Sequence, residues 1–172
     1  MKIFFYIVIF ILLTGCESCD DTINPKTELE KLPPATQTGK STFGCLVKGK
    51  AWITRSSTDA LAFYQSGVLQ ISAGIDETNR DQGITLAVLG GVTQGTSYNL
   101  FSDSKTEPLF GGQLPIGLCT YEDNNTLNGH LTITKLDQTS LIVSGLFEFT
   151  TFVSGCDTIK ITEGRFDLLY AN

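Results

Sequence analysis

From residue 42 onward apolar and polar positions alternate with a period of two, the spacing of strands that bury one face. Phe43, Cys45 and Val47 share a face, and Lys48-Gly49 turns the chain into Ala51-Trp52-Ile53. Leu61 to Gln65 and Val68 to Ala73 flank Ser66-Gly67, a two-residue hairpin signal. Ile84, Leu86 and Val88 follow a polar loop, and Tyr98 with Leu100 mark a shorter strand. Leu114 to Tyr121 precedes a turn-like EDNNTLNG, and strands over His130 to Leu136, Leu141 to Thr150 and Thr158 to Tyr170 follow. In the last of these, Ile159 and Ile161 lie at odd positions while Phe166, Leu168 and Tyr170 lie at even ones. The parity change predicts a bulge or bend at Gly164. About nine to ten short strands with polar turns every ~8–12 residues predict an all-β domain, either an antiparallel β-sandwich or a closed β-barrel.

The first 41 residues follow no such pattern. Met1-Lys2 is followed by an unbroken apolar run from Ile3 to Leu13, the plan of a secretory signal. As a helix the run spans roughly 16 Å, about half of a ~30 Å hydrocarbon core, so it is too short for a transmembrane helix. Leu13-Thr14-Gly15-Cys16 resembles a bacterial lipobox, which implies that residues 1–15 are removed and that Cys16 carries lipid on its sulfur and amine. Cys16-Glu17-Ser18-Cys19 also has the C-x-x-C spacing of a redox couple or half a zinc site, but a thioether sulfur supports neither role. Two or three acyl chains hold a protein firmly where one holds it marginally. Residues 16–41, with Asp20-Asp21, Pro25, Pro33-Pro34 and Gly39, read as a flexible tether of roughly 80 Å when fully extended. The alternative is an arm packed on the domain through Pro33-Pro34. Residues 42–172 form the β-domain.

Charge narrows the partners. Loss of Lys2 with the signal leaves 11 basic against 18 acidic residues, a net charge of −7. An acidic chain without a basic cluster excludes nucleic acid as a partner and leaves membrane attachment to the lipid on Cys16. Low charge content (17%) and 17 glycines suit an exported β-domain.

In an oxidising compartment Cys19, Cys45, Cys119 and Cys156 become disulfide candidates. If 114–121, 130–136 and 141–150 form a meander, the first and third strands finish at the same pole, which predicts Cys119–Cys156. Cys45, on the face of Phe43 and Val47, reads as a buried thiol, and Cys19 as unpaired or intermolecular.

Candidate chemistry is sparse. His130 lacks a G-x-S-x-G elbow and reads as a strand histidine, so no catalytic residue is assigned. The carboxylates of Asp76 to Gly83 and Glu122 to Asn125 have calcium-type oxygens without calcium-loop spacing, and turn chemistry explains them. No metal or other cofactor is expected. Trp52 reads as a core residue, with a sugar-stacking platform of Trp52 and Tyr64 as the alternative. Asp21-Thr22-Ile23 and Asp157-Thr158-Ile159 resemble the Asp-[Ser/Thr]-aliphatic O-glycosylation acceptor of Bacteroidota, making Thr22 and Thr158 candidate modification sites.

LPPATQTGKSTFGCLVKGKAW (32–52), GHLTITKLD (129–137), SGLFEF (144–149) and CDTIKITEGRFDLLY (156–170) together resemble a family of small Bacteroidota envelope lipoproteins classed as of unknown function. The resemblance implies an outer-membrane lipid anchor and supplies no catalytic residues. Glu17, Asp20 and Asp21 are loosely similar to the surface-export signals of that group, leaving periplasmic and surface-facing placements open. The expected role is a non-enzymatic binding or structural module for a protein or glycan partner. The alternatives are a lipocalin-like barrel for a small apolar ligand and a carboxylate-dependent hydrolase.

Overall fold

A computed structural model describes residues 25–76, 82–101, 105–114 and 117–172. The chain is all-β, an 11-stranded sheet so strongly curled that it forms a half-barrel. Its strands are β1 (Thr42–Val47), β2 (Lys50–Ile53), β3 (Ala60–Gln65), β4 (Val68–Ile75), β5 (Gln82–Val88), β6 (Ser97–Asn99), β7 (Thr106–Leu114), β8 (Gly117–Tyr121), β9 (Thr126–Asp137), β10 (Ile142–Thr151) and β11 (Ile159–Ala171).

β11 joins two sections of the sheet. Along most of its length it lies between β10 and β1, and β9 with β6 continues beyond β10 while β2 continues beyond β1. Its last residues, Tyr170 and Ala171, leave β1 and pair with Ala62 and Phe63 of β3, opening the β3-β4-β5-β7-β8 section. That contact is parallel, where a purely antiparallel fold was expected; the other pairings among the described residues are antiparallel.

The bulge lies where the parity change placed it. Pairing with both neighbours slips around Glu163-Gly164, and Glu163 takes a left-handed backbone (φ 55°). The extra residue keeps Ile159, Ile161, Phe166, Leu168 and Tyr170 all buried. A Cβ on Gly164 would stand 2.5 Å from the Phe147 carbonyl and 2.7 Å from its ring, so only glycine fits. Phe43, Phe147 and Phe166 meet in the concavity at centroid distances of 5.2 to 6.4 Å. The hydrophobic cluster continues through Leu69, Ile84, Phe110 and Leu131, so side chains fill the half-barrel.

Several expectations need correction. β7 was not anticipated, because Pro108 and Gly111-Gly112 break its pattern. Pro108 lies where β8 no longer covers β7, an edge position at which a strand tolerates proline. Leu114 belongs to β7, so the strand expected from Leu114 to Tyr121 begins at Gly117. The turn EDNNTLNG ends at Asn125, and β9 starts four residues before His130. β8 pairs with β7 and not with β9, so the meander behind the disulfide argument does not exist.

The tether is also shorter than expected. From Pro25 to Ser41 the chain lies along the domain. One helical turn at 28–31 is closed by reciprocal Thr27 and Glu30 hydrogen bonds, Leu32 is buried, and Pro33 stacks on Gly44 so closely that a Cβ there would meet its Cδ at 2.7 Å. Residues 16–24 of the expected tether lie outside the described residues.

Candidate functional site

Among the buried polar side chains of the described residues, two contrast most, one on the outer face and one beside a seam in the sheet. On the outer face, Ser144 of β10 and Asp167 of β11 are cross-strand partners. The arm passes over them, leaving Asp167 0% and Ser144 1% exposed. The Asp167 carboxylate accepts hydrogen bonds from Thr36 Oγ1 (2.6 Å), from the backbone N–H groups of Thr38 (3.0 Å), Gly39 (2.8 Å) and Lys40 (3.2 Å), and from Ser144 Oγ (2.8 Å). Burial pushes this carboxyl up, but the hydrogen bonds from Thr36, Thr38, Gly39 and Ser144 outweigh it and hold it at about 2. Three consecutive N–H groups converge on this one buried carboxylate, so it fixes the arm's path. Nothing local in the sequence marks this group as special. The one signal is an acid inside an otherwise apolar closing strand, FDLLY.

The second place is the seam where β2, paired only with β1, faces β5 and β7. A cleft of about 350 Å³ opens there, with Trp52, Phe110 and Ile159 among its walls and Lys48, Lys50 and Gln82 around it. Phe110 and Ile159 are core residues, 0% and 1% exposed, and close the cleft off from the hydrophobic cluster behind it. Trp52 is 5% exposed and packs edge-on against Phe43 at 5.8 Å. Its Nε1 is shielded from water and has no hydrogen-bond partner among the described residues. An unmet buried donor typically costs about 1–3 kcal/mol. Lys48 bonds Asp157 at 2.8 Å, whereas Lys50 forms no ion pair among the described residues. At the outer edge of β2, the Ala51 N–H donates to Glu28 of the arm at 2.8 Å. The Glu28 carboxyl is held below its usual range by Lys31 first and by this N–H second.

The other nominated residues are scattered. Cys119 and Cys156 form a disulfide, linking β8 to the loop between β10 and β11. Tyr121 reinforces that link by donating from its hydroxyl to the Asp157 carbonyl at 2.7 Å. Cys45 is a buried free thiol whose pKa burial pushes far up, making it inert packing. His130 stands half-exposed beside Glu148, 3.7 Å away across β9 and β10. Tyr64 packs on Tyr170 and does not join Trp52 in a stacking platform. Glu122 and Asn125 close a capping box around a 3₁₀ turn, so these residues are spent on the turn itself. Among the described residues, no group of three His, Cys, Asp or Glu side chains could hold a metal. Thr158 is exposed on the loop before β11. Cys16, Cys19, Thr22 and residues 77–81 of the acidic loop lie outside the described residues.

Comparison with known proteins adds no relative: no family model, no curated protein and no solved structure matches the chain.

Proposed function

We propose that the chain is a lipid-anchored outer-membrane lipoprotein whose β-domain is a non-enzymatic binding module, with the seam beside β2 as its binding site. The observation that carries the binding role is the concave, apolar cleft at that seam, at the small end of the range for small-molecule sites. The anchor rests on Leu13-Thr14-Gly15-Cys16 behind a short apolar run. A Cys119–Cys156 disulfide is in keeping with an exported, oxidising address. On this reading the docked arm sets how far the domain stands from the membrane. From Cys16 to Glu28, which already touches β2, the chain extends at most roughly 40 Å, half the reach of a free tether to residue 41.

The anchor is tested by following the chain in cells. Globomycin should accumulate a longer precursor, and Cys16→Ala should release the protein from the membrane fraction; a membrane-bound Cys16→Ala protein contradicts the assignment. Protease treatment of intact cells then tells a surface-facing domain, which is cleaved, from a periplasmic one, which is protected.

A small-ligand role favours the seam over the centre of the half-barrel. A lipocalin-like ligand would occupy the middle, where Phe43, Phe147 and Phe166 already pack. A carboxylate-dependent hydrolase needs converging acids, and Glu107, Glu122 and Asp123 do line one cleft of about 370 Å³ beside β5 and β7; Glu122 and Asp123 belong to the capped 3₁₀ turn there, which favours a structural role for them.

A further inference from the structure

We infer that the end of the half-barrel carrying Phe101, Leu127 and Phe152 rests on the membrane, with these side chains in the lipid headgroup region. The inference rests on the lipid-anchor reading and adds to it which face of the domain meets the bilayer.

The three residues are 49%, 51% and 46% exposed and lie on or just beyond neighbouring strands at one end of the sheet. Thr126 of β9 pairs with Thr151 of β10; Leu127 follows the first and Phe152 the second. On the other side of β9, Leu100 donates its N–H to the Gly129 carbonyl (3.0 Å), and Phe101 is the next residue. Apolar residues exposed singly are ordinary, whereas a group of them marks a contact surface.

A bulge puts Leu127 outside. Leu131 and Ile133 are buried, and alternation carried back along β9 would bury Leu127 as well. Instead β9 slips by one residue against β10 between Thr126 and Asn128, which exposes Leu127 and buries Thr126. The Thr126 hydroxyl then has no hydrogen-bond partner among the described residues. An exposed leucine and an unmet buried hydroxyl both disfavour the isolated domain, so the bulge serves an apolar surface outside it.

The arm says which surface. Glu28 meets the domain at Ala51 of β2, beside the Lys50–Val47 pair. Val47 pairs with Ile161, and Ile159 pairs with Thr151, so the arm joins the sheet at the end that carries Leu127 and Phe152. From Cys16 to Glu28 the chain extends at most roughly 40 Å. The 13 residues of β11 are themselves about 40 Å long. The far end could meet the membrane only with the chain stretched to its limit, so an anchor on Cys16 favours the near end. A second exposed apolar group, Leu61, Phe63 and Leu169, lies toward the far end of β11 and serves as the control. Charges at the near end include the His130–Glu148 and Lys48–Asp157 pairs and the acidic Glu122 and Asp123. Attraction to anionic lipid is therefore not what holds the contact.

The experiment uses the full chain as isolated from cells, carried in phosphatidylcholine nanodiscs with and without a gadolinium-chelating headgroup lipid. In gadolinium discs the amide signals of Phe101, Leu127 and Phe152 should weaken severalfold, while those of Leu61, Phe63 and Leu169 persist. Phe101→Ser, Leu127→Ser and Phe152→Ser together should leave the chain with the discs but return these signals to the level of the rest of the domain. Phe152→Ser alone, at an exposed residue beyond β10, should restore them in part and gives a readout even where the triple variant does not fold. Phosphatidylglycerol in place of phosphatidylcholine should not strengthen the weakening. Uniform weakening, weakening led by Leu61 and Leu169, or a pattern that ignores the substitutions overturns the inference. So does one that strengthens with phosphatidylglycerol. Each of these results leaves the lipid anchor standing, because the chain still floats with the discs; a chain that does not float with them removes both readings.

Discussion

Asp167 and Trp52 are both buried polar side chains on this half-barrel, and they meet opposite fates. The Asp167 carboxylate gathers five hydrogen bonds from the arm and from β10, while the Trp52 N–H has no partner among the described residues. The first is a saturated network: every donor near it is satisfied, and its work is to hold residues 36–40 against the sheet. The second is incomplete: the N–H is closed off from water without an acceptor, although Trp52 is among the residues that line the seam. A buried polar group that is fully met specifies structure; one left unmet costs stability and holds nothing in place.

This contrast can be broken most severely at the clamp. Asp167→Ala should cost about 4 kcal/mol in urea unfolding, because it strands two hydroxyls and three N–H groups under the arm. Trypsin should then cut after Lys31 and Lys40 much faster than in the parent chain. Removing the disulfide with Cys119→Ala and Cys156→Ala should come next, at about 3–4 kcal/mol for a closed loop of 37 residues. Because Cys156 lies just before Ile159, it should also loosen the seam, raising acrylamide quenching of Trp52 while the arm stays protected.

Acid is a gentler probe of the clamp. Folding lowers the Asp167 pKa from 3.8 to about 2, so its contribution is complete above about pH 4 and is lost as pH falls toward 2. The loss amounts to about 2 kcal/mol, and it should be absent from Asp167→Asn when unfolding free energy is compared between pH 5 and pH 2. Smallest of all is the effect at the seam. Trp52→Phe removes no hydrogen bond within the protein, so thermal unfolding should show only the roughly 1 kcal/mol of lost packing. A cost as large as that of Asp167→Ala would mean the indole has a partner after all.

The regular strands were readable because each buries alternate residues, and the bulge at Glu163-Gly164 because Ile161 and Phe166 differ in parity. β7 was not, since Pro108 and paired glycines mimic a loop while pairing with β5 supplies the order. The pairing of Cys119 with Cys156 emerged from a meander that the fold does not contain. β8 sits at the far end of the other section, and the disulfide spans from there to the β10–β11 loop. The arm was hardest to place. PPATQTGK has the composition of a linker, and its docking depends on an aspartate 128 residues beyond Gly39. The seam, too, depends on distant segments: Trp52, Phe110 and Ile159 share no sequence pattern, and only the curl of the sheet brings them together.

The contrast between a met and an unmet buried group comes down to one proton, the indole N–H of Trp52. Nitrogen–proton NMR of the chain gives one indole signal, and it should sit upfield, where an indole N–H without an acceptor resonates. The amides of Thr38 to Lys40, held by Asp167, should sit downfield in the same spectrum and move upfield in Asp167→Ala. An indole signal that is already downfield, or Thr38 to Lys40 amides that ignore Asp167→Ala, would contradict the contrast between the two sites.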